Sequence, residues 1–130
     1  MLPLIGAYSI YFLSTGAIWS VDLTSTISHE VYRPEKPWMI DRFATFDLSR
    51  DGTAFVVAIR SPGVVHCAAR VITTAGDVRD LPPFASECRA IAWTHDEQAV
   101  LAGVHADDGS IPVFMVPVHG GAEPVRLQSP

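Results

Sequence analysis

The residues of this chain best suited to chemistry are its five histidines and the acids beside them. His105 precedes Asp107 and Asp108, His95 precedes Asp96 and Glu97, and His29 precedes Glu30, while His66 and His119 have no acid within two positions. An imidazole next to carboxylates can hold a divalent metal or move a proton. Neither use is spelled out here. The sequence has no H-E-x-x-H, P-loop or G-x-G-x-x-G string. It also has no G-x-S-x-G elbow to present a nucleophilic serine, and the nearest string, Gly109-Ser110-Ile111-Pro112, reads as a hairpin connection. No residue is therefore given a catalytic, cofactor-binding or metal-binding role. No cofactor is expected, and the binding surface is unassigned.

What those histidines can do depends on the elements that hold them. At 130 residues the chain has the length of about one domain. A chain of that size should bury roughly two-thirds of the surface it exposes when unfolded. Hydrophobic residues make up 48% and charged residues 18%, which argues against disorder. Ten Pro and nine Gly imply many turns, and so short strands rather than long helices. Nine Lys+Arg against fourteen Asp+Glu leave a net charge of -5, which speaks against a nucleic-acid partner needing a basic face.

Cys67 and Cys88 form no metal motif and are too few for a disulfide scaffold. They read as two separate buried thiols, with a disulfide as the alternative in an oxidising compartment. The apolar start, "MLPLIGAYSIYFLSTGAIWS", has no Lys or Arg before its apolar run and is interrupted by Tyr8, Ser9, Tyr11, Ser14 and Thr15. It reads as a strand rather than an export signal or a transmembrane helix, so no membrane partner is expected and the cytoplasm is favoured over export.

A shift of 45 residues lays the middle of the chain over its end. "LSRDGTA" at 48–54 falls on "WTHDEQA" at 93–99, and "FVVAI" at 55–59 falls on "VLAGV" at 100–104. Val71 meets Val116, Gly76 meets Gly121, and "DVRDL" at 77–81 matches "EPVRL" at 123–127 after a one-residue slip. A weaker third copy runs through "AYSIYFLS" at 7–14, "IWSVDL" at 18–23 and "HEVYR" at 29–33. Each full unit reads as four short strands, placed in the second unit at about 43–49, 54–61, 67–74 and 77–81. Asp51-Gly52 suits the tight turn after the first strand better than Asp96-Glu97 does.

The second strand of each full unit is almost entirely apolar, and such a strand must be covered on both faces. A four-stranded unit of about 45 residues with that property is a propeller blade. The expected fold is thus all-β: a single partial β-propeller domain over 1–130, with blades at 7–33 (partial), 43–81 and 88–127. Antiparallel strands then place His95 and His119 at one end of the blades and His66 and His105 at the other. The sequences "HADDGS" and His95-Asp96-Glu97 read as solvated turns, and His29 as an outward residue. Trp93 reads as core. Trp38, in the polar segment 32–42, reads as part of a connector, with a binding edge as the alternative. Arg33, Lys36, Arg60, His66, Asp107 and Asp108 fall at the second end as a mixed-charge rim.

The pattern resembles the β-propeller repeats of TolB-type periplasmic proteins and of the non-catalytic domain of the prolyl oligopeptidase family. Those blades read as Ser-Pro-Asp-Gly, an apolar strand, Gly-Gly and a closing Arg-Leu. Here "LSRDG" and "WTHDE" stand at the first signature, both without its Pro, and "VPVHGGAEPVRL" fits the second. The segment "LAGVHADDGSIPVFMVPVHGGAEPVRL" is similar to blades of the acylaminoacyl- or dipeptidyl-peptidase branch. That resemblance implies a non-catalytic segment gating peptide access to a C-terminal α/β-hydrolase domain missing from this chain; the alternative is a TolB-like scaffold for a protein partner. Two blades and most of a third cannot close a ring. A fragment of a longer product is expected, with a second copy completing the ring, or another β-sandwich, as alternatives.

Overall fold

The apolar run that must be covered on both faces is the most deeply buried strand of the molecule. In the computed structural model, which describes residues 9–128, every side chain from Phe55 to Ile59 is at most 1% exposed. The expectations for residues 1–8, strand or export signal, lie outside the described residues. The described residues form twelve β-strands and no helix, so none among them could cross a membrane as a helix. The all-β expectation holds.

Two compact units divide between residues 39 and 40. In the first, β1 (Ser9–Ser14), β2 (Ala17–Asp22) and β3 (Ser28–Tyr32) pair antiparallel in that order. The β1–β2 turn is Thr15-Gly16, both residues at positive φ. The β2–β3 turn is held by Asp22, whose carboxylate accepts the N–H groups of Thr24 and Ser25 at 2.7 and 3.1 Å. An aspartate bonding its own backbone ahead thus makes the turn that Gly76 and Gly121 serve in the later units.

The second unit contains two sheets. One runs β4 (Met39–Ile40), β6 (Ala54–Ser61), β7 (Val65–Thr73), β8 (Val78–Asp80), with β5 (Phe46–Leu48) also on β6. The other runs β9 (Cys88–Trp93), β10 (Ala99–Val104), β11 (Val113–Pro117), β12 (Val125–Arg126). From β5 to β8 and from β9 to β12 the chain is an antiparallel meander, each hairpin folding a strand back onto its predecessor. The expected first strand at 43–49 is corrected, because residues 41–45 form a bend that leaves β4 and β5 as two pieces. Asp41 Oδ1 accepts the N–H groups of Phe43 and Ala44 at 2.8 and 2.9 Å, and Thr45 sits at φ 55°. A short acid bonding its own backbone competes successfully with the ladder there.

The 45-residue repeat is physical at the turns. Ser49 and Thr94 each donate a hydroxyl hydrogen to the aspartate two residues on, at 2.8 and 2.7 Å. Each hydroxyl also accepts a strand N–H, from Ala54 and Ala99, and Asp51 and Asp96 accept the N–H groups of Thr53 and Gln98. Gly52 and Glu97 both take positive φ, 75° and 60°. A glutamate is strained there, but its carboxylate accepts the N–H of Arg50 in the neighbouring sheet at 2.7 Å.

Past the second strand the fixed shift fails. Phe55 faces Ile72, whereas Val100, 45 residues after Phe55, faces Val116, only 44 after Ile72. Arg70 pairs with Asp80 and Phe114 with Arg126, so the fourth strand is displaced by 46. The one-residue slip read from the sequence is real, but it is preceded by an opposite slip in the third strand. Val71 therefore corresponds to Met115, not Val116. A one-residue register change moves a side chain to the other face of its sheet.

The two sheets pack through Val56, Ala58, Ala69 and Val71 on one side and Ile91, Val100, Ala102 and Val116 on the other, all buried. Cys67 and Cys88 lie in this same layer with their Cα atoms 5.7 Å apart, joined as a disulfide. The expectation of separate thiols is thus overturned. Their 21-residue separation in sequence carried no sign of it. They meet because the starts of β7 and β9 lie at the same end of adjacent sheets and both face the shared core. Across the sheets, Asp47 Oδ2 also accepts the N–H of Trp93 at 2.9 Å. Trp93 is only partly buried and packs against the core.

Candidate functional site

At one end of the second unit lie the turns 49–53 and 94–98; the loops 61–65, 81–87 and 105–112 lie at the other. The turn end is tied to itself. Thr53 and Ser49, and then the Thr53 amide, hold Asp51 below the usual carboxylate value of 3.8. The Gln98 amide and the Thr94 hydroxyl do the same for Asp96. These carboxylates spend their acceptor capacity on the hydroxyls and amides of their own turns and so are built for turns. His95 belongs to that end, beside Met115 and Pro117 in a shallow cleft, and His119 is exposed in the β11–β12 turn.

The loop end forms a groove of about 690 Å³. Phe84 and Phe114 meet edge to face at 6.1 Å along it, Pro83, Pro112 and Pro124 line its walls, and His66, His105, Asp107 and Arg126 supply its polar groups. The floor is rigid because the Phe84 N–H donates to the Cys67 carbonyl at 2.9 Å, and Cys67 is cross-linked to Cys88. The His105 N–H donates to the Glu87 carbonyl at 2.8 Å, which fixes the next loop. Asp108 stays out of the groove's chemistry: its carboxylate, lowered by the Ser110 hydroxyl and amide and then by Arg126, closes the 105–110 turn. A groove of this kind, apolar with a few convergent polar groups on loops, suits a peptide or a small molecule.

Beside the groove lies a second feature that residue pattern alone does not single out. The bend at Asp41 turns Phe43 outward, 57% exposed, and two guanidiniums flank its ring, Arg42 at 5.1 Å and Arg89 at 5.0 Å from the centroid. Arg42, Phe43 and Asp41 share a cleft of about 100 Å³ with Arg60 and Glu87. Its only trace in the sequence was an aspartate two residues ahead of an aromatic, in a stretch expected to be regular strand.

Of the residues expected on the rim, His66, Arg60 and Asp107 gather at this loop end, the first and last at the groove and Arg60 at the cleft. Arg33 is committed elsewhere, pairing with Glu30 at 2.8 Å and donating to the Thr15 carbonyl at 2.8 Å. Lys36 is exposed and Trp38 half-buried in the connector. His29 is exposed on β3. Among the described residues no three His, Cys, Asp or Glu side chains are grouped to hold a metal.

No protein-family model and no curated protein matches the sequence. Among solved structures, the chain is similar to the crystal structure of TolB from Acinetobacter baumannii, with a TM-score of 0.71 and 15% identity. The match covers 95% of this chain and 30% of that one, so the chain spans less than a third of the length of its neighbour. At that identity the likeness shows the fold, which is that of TolB-like β-propeller blades.

Proposed function

We propose that this chain is a non-catalytic β-propeller segment, one partial propeller domain, acting as an interaction scaffold whose loop end receives a protein partner. The observation that carries this reading is the groove between Phe84 and Phe114, rigid at its floor and walled by loops. The test is photo-crosslinking in cells, with a photoreactive residue at position 66 or at position 95. Adducts from position 66 alone would support the reading, and equal adducts from both, or none, would overturn it.

A second reading is favoured by one hairpin, β11–β12 with its His119-Gly120-Gly121 turn, whose sequence resembles peptidase blades. On that reading the same end would gate short peptides above an α/β-hydrolase domain carried elsewhere in a longer protein. A fluorophosphonate probe applied to the product of the whole gene separates the two, since only the peptidase would label.

The outward face of the last sheet supports a partner of another kind. Leu101, Val113 and Met115 correspond to Val56, Ala69 and Val71, which are core, yet Val113 is 41% exposed and the other two only partly covered. A further blade or a second copy of the chain would cover them, and sedimentation velocity against concentration distinguishes the copy. The disulfide supports an oxidising compartment, against the expectation of cytoplasm.

A further inference from the structure

We infer that Arg42, Phe43, Arg60 and Arg89 form a recognition site for a peptide segment of a partner protein that presents one carboxylate beside an apolar side chain. This deepens the scaffold reading above and rests on it. The chain has nine cationic side chains against fourteen acidic ones, yet two of the nine lie over one exposed phenylalanine ring and a third lines the cleft beside it. No ion pair engages any of the three among the described residues. Guanidiniums held near one another with no direct ion pair repel, and an anion seated between them relieves that repulsion.

Charge decides the kind of anion. Arg42 and Arg60 balance Asp41 and Glu87 within the cleft, and Arg89, on the Phe43 ring beside it, leaves the site as a whole with one net positive charge. A single carboxylate matches that balance, whereas a phosphate dianion would overfill it beside Glu87. The cleft, about 100 Å³, has room for a carboxylate group and little more. Asp41 is 4% exposed, and its Oδ1 is occupied by two backbone amides, so it shapes the bend rather than competing for the arginines. The ring of Phe43 supplies the second half of the recognition. Arginines stacked on an exposed aromatic are already ordered, and the uncovered part of the ring offers an apolar surface next to the charge.

The test uses the whole chain and a capped tetrapeptide of alternating glutamate and leucine, followed by the arginine Nε–Hε resonances. Saturable shifts at Arg42 and Arg89 but not at Arg79 on β8 are expected. Affinity should fall at least about tenfold with the glutamine isostere of the peptide, about fivefold in Arg89→Gln, and not at all in Arg79→Gln. Raising the salt should weaken binding, as it does for exposed charges. Equal shifts with inorganic phosphate would overturn the carboxylate assignment, as would an unchanged affinity in Arg89→Gln with a native amide spectrum. Shifts confined to the groove at His66 and His105 would sink this site and leave the scaffold standing. The scaffold itself falls only with the cross-linking result.

Discussion

The sheets at 46–80 and 88–126 are two versions of one unit, and they differ most where their sequences look most alike. "FVVAI" and "VLAGV" are equally apolar. In β6 both faces are buried, whereas in β10 Val100 and Ala102 are core and Leu101 and Gly103 are partly exposed. The difference lies in the neighbours, since only one face of the second sheet packs against the first. An apolar strand therefore reports that a face must be covered, but not by what. The outer strands differ in the opposite sense. Arg70, 5% exposed along its side chain, is bound by Asp80 through Nε at 2.6 Å and Nη2 at 3.3 Å, while the matching pair in the other sheet is Phe114 opposite Arg126. One sheet holds its outer strand by a charge pair; the other does so beside an aromatic groove.

Joining the sheets covalently should matter most. Replacing Cys67 and Cys88 together by alanine frees a 21-residue loop and should cost about 3 kcal/mol in denaturant melts. A loss under about 1 kcal/mol would show that packing alone holds the second sheet to the first. Asp80→Ala leaves the Arg70 guanidinium short of its carboxylate partner and should cost about 2–3 kcal/mol, less than a fully buried pair because Asp80 is 59% exposed. Arg126→Ala, at the equivalent position, should change stability by no more than about 0.5 kcal/mol. Equal losses would erase the distinction between the outer strands.

Cavity mutants test the inner strands. Val56→Ala should cost about 2 kcal/mol and Leu101→Ala less than about 1 kcal/mol, because only the first opens a closed core. If Leu101→Ala proves as costly, its face is covered in solution, and the sedimentation experiment will say whether a second copy does it. The smallest effect concerns what the sheets share. Asp51 and Asp96 are both held below 3.8 by hydrogen bonds that favour the charged form. A depressed folded value means that their contribution is present above the unfolded value, about 3.9, and is lost as pH falls through the folded one. Carboxyl carbon titrations by NMR should show both midpoints below that of a model aspartate. An ordinary value at Asp96 alone would mean that the second turn is looser than the first.

The blade pattern was legible because period and punctuation are local. Asp51 and Asp96 recur at a fixed spacing since a turn is made by a few consecutive residues bonding one another. The unbroken apolar runs of β6 and β10, and the one-residue slip in the fourth strand, could be read for the same reason. The opposite slip in the third strand could not, because register is set by pairing across the hairpin rather than by the strand itself. The Asp41 bend was hidden inside an expected strand, and with it the exposure of Phe43.

By itself, then, the order of amino acids determined the all-β architecture, the blade-like repeat and the turns that shape it, through preferences acting over a few residues. The tertiary structure decided which faces are buried, that Cys67 meets Cys88, and that Arg42 and Arg89 converge on one ring with Arg60 in the adjoining cleft. Those outcomes depend on residues far apart in sequence being brought within a few ångströms, and a contact of that kind leaves no mark on either residue's local surroundings in the chain.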